Sequence, residues 1–328
     1  MAQAKGMKLV DLDADGVDRA FRADVLAGLR QQQKAIPARW LYDDAGSQLF
    51  EDITQLAEYY PTRAETQILT ERAGTFADQI GPGRAVVEFG SGSSVKTPLL
   101  LDAISPAAYV PLDISGDFLR AAAEDLRAKF PGLPVYPVEA DFMRQVELPG
   151  EIAEFPKLGF FPGSTIGNMV PRTAVDLLRT MRATLGEKSQ LLIGMDLIKP
   201  VDVLEAAYDD AAGVTAEFNL NLARRINREL DGTIPVDELR HEARWNDDYA
   251  RVEMHLVAQK ALAFEVSGVA FEMAAGETIH TENSHKFDRR SANTLLLAGG
   301  WTPVTRWLDK KERFSLILAK ASIARNAP

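Results

Sequence analysis

One stretch limits the folds open to this chain more than any other: Val86-Val-Glu-Phe-Gly-Ser-Gly-Ser-Ser-Val-Lys-Thr97. Arg84 to Phe89 reads as a buried strand that runs into a glycine-rich turn. Gly90 and Gly92, with Ser91 between them, permit positive φ and let backbone approach a ligand closely. Thr97 can N-cap the helix that follows, with Pro98 at its first position, where a missing N–H costs nothing. Strand, glycine turn and helix together form the nucleotide-binding corner of a doubly wound sheet, whose ligands sit at the carboxyl ends of strands.

The flanking sequence carries the matching alternation. Residues 1–16 read as a polar, frayed start, and Val17 to Gln31 as a helix with Phe21, Val25 and Leu29 on one face. Thr62-Arg-Ala-Glu65 has the form of a capping box and predicts a helix to about Ile80. Strands are expected at 108–113, 134–139, 157–162 and 190–196, with helices from Ser115 to Phe130 and from Pro171 to Leu185. Strands alternating with helices at this spacing argue for a parallel sheet with right-handed crossovers. Helices are then expected over 201–230 and strands over 239–281. In the latter, Val252, Met254, Leu256 and Ala258 alternate on one face. A helix over 287–298 and a terminal hairpin at 304–308 and 314–319 close the pattern. The expected fold is thus α/β, a doubly wound sheet ending in an antiparallel hairpin, which resembles the arrangement found in class I (Rossmann-like) methyltransferases, with an α+β insert as second domain.

Composition removes several functions. The chain has 328 residues and a net charge of −10, a poor match to nucleic acid or an anionic membrane surface. It has no cysteine, which excludes disulfides and thiolate metal sites. No apolar run approaches the length of a membrane span, and a cytoplasmic protein is expected. His280-Thr-Glu-Asn-Ser-His285 is not H-E-x-x-H, and His241-Glu-Ala-Arg-Trp245 lacks the second histidine, so no metal site is expected.

The turn itself selects a ligand class. The glycine spacing before Lys96 is wrong for a Walker loop, and Val95 stands where a dinucleotide fingerprint needs its third glycine. E-x-G-x-G followed one strand later by an acid fits S-adenosylmethionine (SAM) instead. Asp113, about 20 residues beyond the turn, is placed to accept from both ribose hydroxyls. Asp141-Phe142 follows the third strand, where a carboxylate can take an exocyclic amine and the next backbone N–H a ring nitrogen. Glu88 is expected at the methionine amine or in the shell that orders it, and Lys96 at the methionine carboxylate or in solvent. Hydride transfer is the competing chemistry, and Asp113 would suit its ribose equally. Methyl transfer needs mainly in-line positioning of a neutral amine, because the sulfonium is already activated.

A second group of residues points to a substrate. Trp40, Tyr42, Phe50, Tyr59 and Tyr60 crowd into 21 residues. They serve either as packing between N-terminal elements or as the wall of a pocket with tyrosine hydroxyls as anchors. The segment Trp40-Leu-Tyr-Asp-Asp-Ala-Gly-Ser-Gln-Leu-Phe-Glu-Asp-Ile53, with Tyr59-Tyr-Pro-Thr-Arg-Ala-Glu65, resembles the histidine-specific SAM-dependent methyltransferase family. Glu88 to Thr97, Phe161 to Asn168, Ile193 to Leu197, Tyr208-Asp-Asp210, Phe218-Asn-Leu-Asn221 and Thr281 to Phe287 fit the same family, in the same order.

The resemblance implies a SAM-binding methyltransferase domain of residues 62–195 plus 287–328, and a substrate domain of residues 1–61 plus 196–286. It implies three successive methylations of the α-amine of L-histidine, giving hercynine in ergothioneine biosynthesis, with L-histidine and SAM as partners; the chain itself is expected to be a monomer. Carried over, Asn168 and Tyr208 hold the amino and carboxylate groups. Tyr59, Glu282 and Ser284 contact the imidazole, with Met254 lining that end. Tyr42 and Phe50 wall the amine, and Gly163 lies close to the reacting methyl. An N-methyltransferase of another amino acid, such as tryptophan, or a SAM-binding module without turnover are the alternatives.

Overall fold

The computed structural model describes residues 12–13, 16–92, 96–114 and 116–322. In chain order the elements are α1 (Arg19–Leu29), β1 (Lys34–Ala35), α2 (Asp44–Gln55), α3 (Pro61–Glu71), α4 (Ala73–Ile80), β2 (Ala85–Phe89), α5 (Thr97–Ile104), β3 (Ala108–Asp113), α6 (Gly116–Lys129), β4 (Val138–Glu139), β5 (Lys157–Phe161), α7 (Pro171–Leu185), β6 (Gln190–Asp196), α8 (Val201–Tyr208), α9 (Val214–Glu229), β7 (Leu239–Asn246), β8 (Arg251–Ala258), β9 (Leu262–Val266), β10 (Val269–Met273), β11 (Thr278–His285), α10 (Arg289–Ala298), β12 (Trp301–Leu308) and β13 (Phe314–Ala321). They fall into two compact units. One is Met1–Tyr60 with Lys199–His285, the other Pro61–Ile198 with Lys286–Pro328.

The second unit is built on a seven-stranded sheet of order β12-β13-β6-β5-β2-β3-β4. Pairs from β4 to β6 are parallel, and β13 enters antiparallel between β6 and β12. Strand order reverses between β2 and β5, which is where an open α/β sheet leaves a crevice at its carboxyl edge. β2 and β6 are buried along their whole length, as strands covered on both faces must be. α7 shows why helices cover them. Pro171 sits in its first turn, Ala174, Leu177, Leu178, Met181 and Leu185 recur on one buried stripe, and Gly186 at φ 81° ends it. The expected third strand shrinks to Val138–Glu139 plus one bridge from Tyr109 to Val135. Pro134 and Pro137 have no N–H to give a ladder.

The first unit holds a four-stranded sheet, β1-β11-β8-β7, and the separate hairpin β9-β10. α9 lays Thr215, Phe218, Asn219, Leu222, Ala223 and Ile226 on its buried side. That is the i, i+3, i+4, i+7 stripe of a core helix, with an asparagine in a core position.

Several local expectations change. The helix expected from Thr62 to Ile80 starts at Pro61 and breaks at Arg72 into α3 and α4. Glu65 does not act as a capping residue, because its carboxylate is engaged by Lys96 and by the Gly163 N–H. Lys96, not Thr97, is the N-cap of α5, and the Thr97 hydroxyl is drawn to Glu88. The cap expected at Ser115 lies outside the described residues, as do residues 93–95 of the glycine turn and most of the expected frayed start.

Candidate active site

In the second unit the glycine turn is fastened to the end of β3. Gly90 N and Ser91 N donate to Leu112 O at 2.9 and 3.1 Å, and Gly92 N donates to Asp113 Oδ2 at 3.2 Å. Gly90 and Gly92 have φ of 74° and 39°, the region that excludes most side chains. A Cβ on Gly90 would press on the Phe142 ring at 3.3 Å, whereas nothing lies within 4 Å of one on Gly92. Phe142 in turn meets Phe89 and Phe161 edge to face. Asp113 and the Asp141-Phe142 pair therefore flank an open glycine backbone at the carboxyl ends of β2, β3 and β4. The Asp141 carboxylate also accepts from Met143 N at 3.0 Å, forming a local turn. A ribose-bearing sulfonium cofactor fits this set: bare backbone, an acid at the strand end and an apolar ring.

Glu88 lies beneath the turn. It is buried, and one carboxylate oxygen accepts from Tyr109 Oη at 2.5 Å and from Thr97 Oγ1 at 2.7 Å. Burial pushes its carboxyl up to about 7 against the opposing pull of those hydroxyls. Lys96 Nζ sits 2.6 Å from Glu65 Oε2 in an ion pair. After β5, Gly163 (φ 78°) and Ser164 (φ 57°) turn the chain into a short helical turn, Thr165–Asn168. The left-handed Ser164 is strained, and its Oγ accepts from Asp196 N at 2.9 Å, tying that turn to the end of β6. Asn168 closes the turn, half-buried.

In the first unit the aromatics sort themselves. Tyr42, Phe50, Tyr59 and Tyr208 join one ring cluster, with centroids 5.6 Å apart for Tyr42–Phe50 and 6.1 Å for both Phe50–Tyr59 and Tyr59–Tyr208. Phe218 belongs to it, 5.4 Å from Tyr42 and 6.1 Å from Phe50. Phe218 carries no sequence motif of its own that marks a role, although its place on the α9 stripe signals a buried ring. Trp40 and Tyr60 are packing residues: Trp40 lies 4.8 Å from Phe21, and Tyr60 accepts from Lys199 at 2.5 Å. Tyr208 Oη and Ser284 Oγ are 2.7 Å apart. Burial first, and then the charge of Glu282, hold the Tyr42 hydroxyl well above its ordinary value, so it stays protonated.

Glu282 and Ser284 reach one face through a register shift. His280 stands opposite His255 on β8, but Glu282 stands opposite Met254 and Ser284 opposite Val252. Neighbouring residues of a strand point to opposite faces, so the extra residue, Thr281, moves Glu282 and Ser284 to the Met254 side. Met254, Glu282 and Ser284 are all buried there.

On the other face, Glu253, His255 and His280 bring ligand atoms within 4.8 Å of one another, the one such group among the described residues. The group is internally bonded. His255 Nε2 meets Glu253 Oε2 at 3.0 Å, His280 Nε2 meets Glu282 O at 3.0 Å, and Arg251 Nε donates to Glu253 Oε1 at 2.7 Å. The two rings stack with centroids 4.7 Å apart.

A family model described as histidine-specific methyltransferase, SAM-dependent, matches residues 21–321. A histidine N-α-methyltransferase of Mycolicibacterium smegmatis is 41% identical over 94% of this chain and 97% of its own length. One from Mycobacterium tuberculosis is 38% identical over 94% and 97%. More distant is an L-tryptophan methyltransferase of Psilocybe serbica, 27% identical over 92% and 93%. With strand order, glycine turn and these likenesses in agreement, the chain belongs to the histidine-specific, SAM-dependent methyltransferase family.

Proposed function

We propose that this enzyme methylates the α-amine of L-histidine three times to give hercynine, the entry step of ergothioneine biosynthesis. The observation that carries the reading is the single buried face on which Glu282, Ser284 and Met254 meet, with Tyr208 bonded to Ser284. An ionised carboxylate accepts only, and a serine hydroxyl donates or accepts, which suits the two nitrogens of an imidazole. Tyr59 joins Glu282 and Ser284 at that end, and Tyr42 and Phe50 supply apolar wall for the amine. Asn168 offers both a donor and an acceptor to the amino-acid head group, and Tyr208 a hydroxyl. In the other unit, Gly90, Ser91 and Gly92 give the cofactor open backbone, Asp113 takes the ribose hydroxyls, and Asp141 and Phe142 take the adenine. Glu88 and Lys96 order the turn, and Gly163 leaves room beside the methyl. SAM supplies an activated methyl. The residues bind, orient and exclude water, so catalysis is positional.

In this reading the residues of unit one form the substrate domain and those of unit two the SAM domain. The partners are L-histidine and SAM, and the chain works as a cytoplasmic monomer. No helix among the described residues is long and apolar enough to cross a membrane, and the charge of −10 disfavours nucleic acid. Incubation of the purified protein with SAM and a panel of free amino acids, tryptophan included, tests it. Mass spectrometry should show histidine gaining one, two and then three methyl groups, and light scattering a single 36.0 kDa chain. No mass gain on histidine would sink the proposal.

A further inference from the structure

The register shift that aims Glu282 and Ser284 is held from behind. Thr281, the extra residue of the bulge, is 1% exposed. Its Oγ1 lies 2.6 Å from Asn219 Oδ1 and 3.1 Å from Met254 O, so its one proton serves two acceptors. Asn219, fully buried on α9, donates both amide hydrogens: to His241 Nδ1 at 2.9 Å and to His255 O at 3.1 Å. His241 Nε2 sits 2.7 Å from Tyr208 O, an acceptor, which fixes the Nε2–H tautomer. The chain of bonds runs from the bulge in β11, through α9 and β7, to the last residue of α8. It joins the strand of Glu282 and Ser284 to the backbone of Tyr208. All three side-chain groups are partnered, and such fully satisfied buried networks specify one arrangement.

We propose that Thr281 and Asn219, backed by His241, are positioning residues that set which amino acid this enzyme accepts. The inference rests on the reading that Glu282 and Ser284 meet the substrate's side chain. The three residues act through others: they hold the bulge in place and Tyr208 in line with it. A strand that slips by one residue turns its whole side-chain set to the other face. Without the Thr281 hydroxyl the bulge loses its anchor, and Glu282 and Ser284 lose their fixed side.

Thr281→Val keeps the shape and removes the hydroxyl, and Thr281→Ser restores it. Wild type and both variants are assayed over the same panel of amino acids, with KM for the amino acid and for SAM measured separately. For the amino acid that wild type methylates best, Thr281→Val should raise KM about tenfold, the scale of one lost buried hydrogen bond. KM for SAM should stay within twofold, selectivity over the other amino acids should shrink, and Thr281→Ser should recover most of the loss. An unchanged amino-acid KM and ranking in Thr281→Val, or equal changes in both KM values, would overturn the inference. Which amino acid wild type prefers decides the proposed function separately. A wild type that methylates none of the panel overturns both.

Discussion

Glu65 has no exposed surface, yet three bonds end on its carboxylate. Lys96 Nζ lies 2.6 Å from Oε2, and Gly163 N donates to both oxygens at 2.9 and 3.1 Å. A Cβ at Gly194 would overlap Oε1, which explains a glycine in the middle of buried β6. One acid thus fixes the lysine of the glycine turn and the backbone that leads to Asn168. Glu65→Gln keeps an acceptor for Gly163 but turns an amide donor toward the ammonium. The expected loss is about 2–3 kcal/mol, somewhat below the cost of breaking a fully buried pair, because Lys96 keeps 18% of its side chain in water. SAM affinity should fall about tenfold with it. Thermal melts and calorimetric SAM titration check both, and unchanged SAM affinity would remove Glu65 from the cofactor argument. Glu65 was hidden in the sequence because Thr-x-x-Glu reads locally as a cap, while its partners lie 31 and 98 residues away.

At the scale of elements, regular periods were legible and broken ones were not. β6 and α7 have the bounds their patterns predict, Gln190–Asp196 and Pro171–Leu185. The strand from Pro134 failed because proline removes donors that a hydropathy pattern does not count. The residues around the glycine turn follow from local rules, since turn, acid and ring lie at successive strand ends. Phe218, Asn219 and Thr281 are set by a bulge and by a polar residue on a core stripe, which depend on a partner strand or helix far along the chain. The turn also supports a test. Gly90→Ala adds a left-handed alanine, costing about 1–2 kcal/mol, and presses a methyl on Phe142. Gly213→Ala, at φ 76° with nothing within 4 Å, adds a similar backbone cost and no contact. Both variants should melt earlier in denaturation scans, but only Gly90→Ala should weaken SAM binding. Equal SAM affinities would discount the Phe142 contact.

Across the whole molecule, acid acts on the first unit's buried histidines and on the second unit's Glu88 with opposite signs. In the first, burial lowers His255 to about 4, and His241 and His280 are lowered for the same reason. A histidine lowered on folding stays neutral while the unfolded chain protonates, so its stabilisation is present above pH 6.5 and lost as pH falls toward 4. Glu253, brought down to about 2 by His255 and Arg251 against its own burial, adds a loss in the same direction as pH falls from about 4.5. In the second unit Glu88, raised to about 7, has the reverse effect: the folded state holds its proton longer, and stability falls as pH rises from about 4.5 to 7. Stability measured by urea unfolding from pH 4.5 to 7 should therefore respond oppositely to two variants. His255→Gln should flatten the gain with rising pH, and Glu88→Gln should steepen it. Parallel shifts from both would contradict these assignments.

The pairing of β1 with β11 has a consequence in time. Lys34 and Ala35 meet Ile279 and His280, which leave a ribosome working at about 5–20 residues per second roughly 12–50 s later. Tyr208 likewise waits for Ser284. The parallel core strands β2 to β6 are made within that interval, while β13, which lies between β6 and β12, comes later still. Each unit is thus interrupted by the other in the message, and neither has all its strands until translation of this sequence is almost over.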